Sequence, residues 1–89
     1  MDRAEPASAV AAQLSVYPLR QEHLGPAVAR VEAVLRAHGL APVVGPMSSL
    51  VTGETGRLFA ALAAAFDAVA ADGQVVMTLT VSNACPVPG

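Results

Sequence analysis

Eighty-nine residues make a single small domain, able to bury roughly 60–65% of the surface its unfolded chain exposes. Apolar residues form 54% of the chain and charged residues 13%, about half the usual ~25% charged share, which excludes intrinsic disorder. Seven acids face five bases, all arginine, so no basic patch for nucleic acid can be assembled. The single cysteine excludes an intrachain disulfide and a cysteine-based zinc cluster.

The longest apolar stretch, 58–66, runs into Asp67 and is too short for a span of about 20 residues. The N-terminus carries Asp2 and Glu5 where a signal peptide has a basic start, and no apolar core follows. A cytoplasmic protein is expected, with no membrane insertion. Residues 1–8 read as a flexible N-terminal segment, 9–86 as the domain and 87–89 as a tail. The charges are confined to 2–5, 20–22, 30–36, 54–57 and 67–72. The charge-free stretches 6–19, 37–53 and 73–89 are those that read as strands.

In the first of these, Val10, Ala12, Leu14 and Val16 alternate with Ala11, Gln13, Ser15 and Tyr17, the period of a strand with one core face. Pro18 ends it. From about His23 to His38 the period changes. Leu24, Val28, Val31 and Leu35 recur at helical spacing, Pro26 suits a first turn, and Gly39-Leu40 reads as a left-handed cap with its apolar contact. Residues 41–44 and 47–53 then form a hairpin about Gly45-Pro46, with Pro42 favouring an edge position. Leu50 and Val51 compete there for the core face. A second helix runs from about Thr55, a plausible N-cap, to Asp72, and Gly73 stops it. Leu58, Leu62, Phe66 and Val69 form its expected core stripe. Its other faces are mostly alanine, either as a helix former or because a second subunit covers them. In the last strand, 74–82, Val75, Met77, Leu79 and Val81 oppose Val76, Thr78, Thr80 and Ser82.

The order β-α-β-β-α-β predicts an α+β fold, the ferredoxin-like sandwich: a four-stranded antiparallel sheet in order 4-1-3-2 with two helices on one face. Its open face would set Gln13, Ser15 and Tyr17 beside Thr78, Thr80 and Ser82. A sheet face exposed to water normally carries charge, whereas this one offers hydroxyls, an amide and a phenol. Such a surface suits a cover. A second subunit alone would serve, as would a small ligand enclosed by subunits. Hydroxyls and main-chain groups supply donors and acceptors for a heterocycle; a phosphate would want Arg, Lys or a glycine-rich helix start. The turn Gly53-Glu54-Thr55-Gly56 lacks that pattern and reads as a cap.

Catalysis has little support. His23 and His38 lie ~22 Å apart along a helix and share no metal or triad within one subunit. His38 complements the helix C-terminus. Cys85 has no sequence-local base or helix start to activate it, so it reads as a structural thiol. No paired-carboxylate, metal or cofactor site is visible.

Three segments carry a resemblance. Leu14-Ser15-Val16-Tyr17-Pro18-Leu19 resembles the first-strand motif of the YkoF-type family of thiamine/hydroxymethylpyrimidine-binding proteins. Gly45-Pro46-Met47-Ser48-Ser49-Leu50-Val51-Thr52-Gly53 is similar to its third-strand motif. The run from Val75 through Val81-Ser82-Asn83-Ala84-Cys85-Pro86 is similar to its closing strand. Their order and spacing extend the likeness over about 9–86. The resemblance implies a ferredoxin-like fold, no enzymatic activity, and binding of thiamine or its hydroxymethylpyrimidine precursor in salvage or transport. It implies that Val16 contributes from the first strand and that Ser49 replaces a threonine, keeping the hydroxyl and losing a methyl contact. Ser15, Tyr17 and Thr78 join the candidate ligand-binding set from the open-face argument.

Family members of this type carry two tandem copies, and this chain has one. A homodimer replacing the two halves is the expectation, with further pairing to a tetramer as an extension. The competing expectation is a small ferredoxin-like oligomerisation or regulatory module with no thiamine-related ligand. An enzyme built on Cys85 is the third.

Overall fold

The structure is a computed structural model that describes residues 9–19, 23, 25–46 and 48–84. Its elements are β1 (Ala9–Pro18), α1 (Gly25–Ala37), β2 (Val43–Val44), β3 (Ser49–Glu54), α2 (Thr55–Ala70) and β4 (Val75–Ser82). All strand pairs are antiparallel, in the order β2-β3-β1-β4, and both helices lie on one face. This is the ferredoxin-like arrangement that the element order predicts. Leu24, Met47 and Cys85, each part of a sequence-based expectation, lie outside the described residues.

Alternation in β1 sorts its side chains as expected: Val10, Ala12, Leu14 and Val16 are buried under the helices. The register then fixes the other strands. Ala12 pairs with Val51 and Val81, and Leu14 with Ser49 and Leu79, so these share the helix face. Val51 is therefore the core residue of β3, 1% exposed against 39% for Leu50. On β4, Val75, Met77 and Val81 pack against the core. Leu79 stays half-exposed on that face, because β4 is an edge strand. β2 is shorter than 41–44, beginning after the buried Pro42, which has no N–H for a ladder.

α1 places Pro26 in its first turn and ends where Gly39 takes φ +84°. Gly39 N–H donates to Arg36 O at 2.9 Å and Leu40 N–H to Leu35 O at 3.0 Å, the paired bonds of a Schellman ending. Leu40 turns inward and is buried. It comes so close to β3 that a Cβ on Gly53 would stand 2.7 Å from Leu40 Cδ2.

α2 departs from expectation at two points. Its N-cap is Glu54, not Thr55: the backbone of Glu54 is extended and its carboxylate accepts from Arg57 N–H at 3.0 Å. Phe66 is 39% exposed, and the buried residues are Leu58, Ala61, Leu62, Ala65 and Val69. At about 100° per residue, a residue seven positions after Leu58 returns almost to its direction, whereas one eight positions on is rotated far to the side. Ala65 thus occupies the core line. Ala61 and Ala65 have no accessible surface, so part of the alanine content is core packing between helix and sheet.

Candidate functional site

Pairing between β1 and β3 stops at Leu14 and Ser49, yet β1 continues to Pro18 alongside β4. Chain continuity explains the mismatch: β3 begins where the hairpin turn releases it, and Gly45 N–H donates to Ser48 O at 2.8 Å to close that turn. A notch results at the end of the sheet, roofed by α1.

The notch holds a cavity of about 60 Å³, lined by Leu14, Ser15, Val16 and Tyr17 of β1, Val28 and Val31 of α1, and Val44, Gly45, Pro46, Ser48 and Ser49 of the hairpin. Its inner wall is aliphatic, and Ser49 stands on the same face of the sheet as that wall. No formal charge occurs among these lining residues. The main chain contributes as well. In a strand, successive residues direct their N–H and C=O to opposite edges. Along 15–17, either Val16 or both of its neighbours therefore point these groups toward the notch.

Four of the five expected residues meet here, in two ways. Val16 and Ser49 share the helix face through the register, with Val16 only 5% exposed. Strand alternation sends the Ser15 and Tyr17 side chains to the opposite face, so it is their main chain that borders the cavity. Thr78 stands apart, across from Ser15 on the open face. The cavity is thus on the helix side of the sheet, at its end, rather than on the open face. Val28, Val31, Val44 and Ser48, with Leu14, Gly45 and Pro46, complete the lining, and the sequence did not mark them as site residues. The helical spacing of Val28 and Val31 shows that they face inward, but only assembly of the sheet shows that they face a gap.

The open face holds Gln13, Ser15, Thr78 and Thr80 as expected. Tyr17 is there as expected too, and the register adds Val43 and Leu50 at one side and Val76 beside Tyr17 at one end. All four are exposed, making that face more apolar than its hydroxyls suggest. The charge of β3 is confined to Glu54, whose carboxyl is held below its usual range by main-chain hydrogen bonds from Arg57 and Gly56. His38 Nδ1 lies 3.0 Å from Val34 O at the C-terminus of α1, as expected. No group of three or more His, Cys, Asp or Glu that could hold a metal occurs among the described residues. No helix among them is long and apolar enough to cross a membrane.

Residues 12–83 match the family described as thiamine-binding protein. The chain belongs to that family. Among solved structures it is similar to a hypothetical protein of Methanocaldococcus jannascii at 20% identity and TM-score 0.81, covering 91% of this chain and 86% of that one. It is also similar to a candidate thiamine biosynthesis/salvage protein of Thermotoga maritima at 19% identity and TM-score 0.73, with coverage of 82% and 81%. A domain of unknown function from Bacillus cereus matches at 22% identity and TM-score 0.71, with coverage of 84% and 75%. At these identities the likeness establishes the fold. The coverages also make these neighbours close to one copy in length. No curated protein matches the chain.

Proposed function

We propose that the thiamine-binding family domain formed by this chain binds thiamine or its hydroxymethylpyrimidine precursor reversibly, without catalysis, in cytoplasmic thiamine salvage or transport. The observation that carries this reading is the uncharged notch at the end of the sheet, where Ser49, Val16 and main-chain groups of β1 meet under α1. An aminopyrimidine presents donors and acceptors along one edge of a flat ring. The Ser49 hydroxyl and the β1 main chain offer the matching set, while Val28 and Val31 take the ring face. The cavity is small for such a ring, so the ligand fills the notch and protrudes at its mouth. There Tyr17, whose side chain lies on the opposite face of the sheet, borders the ligand through its main chain only. A second subunit on the exposed apolar sheet face completes the assembly as a homodimer.

Calorimetric titration with hydroxymethylpyrimidine, thiamine and thiamine diphosphate tests the reading. The first two should bind. The diphosphate should bind more weakly than thiamine, because no cation occurs among the described residues that line the notch. Tighter binding of the diphosphate would overturn this site, and a well-folded protein binding none of the three would overturn the function.

A further inference from the structure

We propose that Gln13 is a positioning residue for the notch: its side-chain amide holds Ser48, and through Ser48 the hairpin turn, at the separation from β1 that keeps the cavity mouth open. The inference rests on the ligand-binding reading above and adds the residue that sets the shape of that site.

Gln13 pairs with Leu50 and Leu14 with Ser49, and the ladder goes no further. Its next rung would set Ser15 against Ser48 and fill the notch with β3 itself. Instead, Gln13 Nε2 donates to Ser48 Oγ at 3.0 Å, a diagonal cross-strand contact that only a long side chain can make. The Ser48 carbonyl is engaged in the turn, accepting from Gly45 N–H at 2.8 Å. Ser48 is therefore fixed from two directions, its hydroxyl by β1 and its carbonyl by the turn. Gly45, Pro46 and Ser48 form the lip of the cavity. Without the amide, the hairpin can either zip one rung further and close the notch or swing away and flatten it. Both lose the geometry that a planar ring needs.

The test titrates hydroxymethylpyrimidine and thiamine into the wild type, Gln13→Leu, Ser48→Ala, the double variant and Gln13→Glu, whose carboxylate can still accept from the Ser48 hydroxyl. Each of the first two single variants should lose affinity about fivefold, the worth of one hydrogen bond. The double variant should lose no more than the worse single, since both remove the same contact. Gln13→Glu should stay within about twofold of the wild type. Amide exchange at Gly45 should quicken in Gln13→Leu while its thermal midpoint stays unchanged, a pattern that loss of general stability does not produce. Additive losses, or wild-type affinity in Gln13→Leu, overturn this role and leave the binding reading standing. Failure of the wild type to bind either compound overturns both.

Discussion

Ser49 shows how one side chain can belong to a core face and to a candidate site together. Its register partners, Leu14 and Val44, lie on the helix side of the sheet, and Ser49 itself is partly buried there. A ligand edge can supply its hydroxyl with a partner. Ser49→Ala should lower affinity for hydroxymethylpyrimidine by about five- to tenfold, in line with one hydrogen bond of roughly 0.5–1.5 kcal/mol. Oligomeric mass should not change, and paired titration and sedimentation measurements check both statements. Glu54 carries a different consequence. Main-chain N–H groups of Arg57 and Gly56 stabilise its carboxylate and lower its pKa. A carboxyl depressed in the folded state contributes stability above its unfolded pKa, and that contribution is lost as pH falls through the folded value. Thermal midpoints should therefore drop on acidification from neutral pH to below the ordinary carboxylate range. In Glu54→Gln the midpoint should be lower at pH 7 and the part of the acid slope due to this group absent; a slope unchanged from the wild type refutes the assignment.

At the scale of elements, the end of α1 directs the chain into the hairpin that forms the notch. Gly39 at φ +84° lets Leu40 turn inward and cover β3 beside Gly53. A side chain at Gly39 meets the left-handed penalty of roughly 1–2 kcal/mol, and its Cβ would also stand 3.1 Å from Arg57 Nη1. Gly39→Ala should lower unfolding free energy in urea by about that amount. Exposed ion pairs contribute less. Arg30 meets Asp72 at 3.0 Å and Arg36 meets Glu32 at 2.8 Å, but such surface pairs add only about 0–1 kcal/mol. The helices are held chiefly by Val31, Leu35, Leu58, Leu62 and Val69, all buried.

For the whole molecule, the sheet has one face under helices and one that leaves Val43, Leu50, Tyr17 and Val76 exposed. These residues, with the hydroxyls between them, suit contact with a second copy better than contact with water. Val43→Lys combined with Val76→Lys should shift sedimentation toward the monomer while the far-ultraviolet spectrum and thermal transition persist, since both side chains already lie outside the core. A wild type that is monomeric at all accessible concentrations overturns the homodimer.

The sequence alone determined the order of elements, because alternation in β1 and helical spacing in α1 are local properties of the chain. It also located the Gly39 ending, the edge position of β2 and the segments that mark the thiamine-binding family. It did not decide between Leu50 and Val51, since either parity gives a plausible strand; the pairing of Val51 with Ala12 settled that choice. Nor did it place Phe66 outside the core line, where a small Ala65 allows α2 to sit close to the sheet. The notch was the least legible feature. Val16 and Ser49 are far apart in sequence, and their meeting depends on where β3 stops pairing with β1. The low charge content excluded disorder and a basic binding surface from the outset. Only the tertiary structure showed where an uncharged surface becomes a cavity, because that depends on one strand outrunning its neighbour beneath a helix.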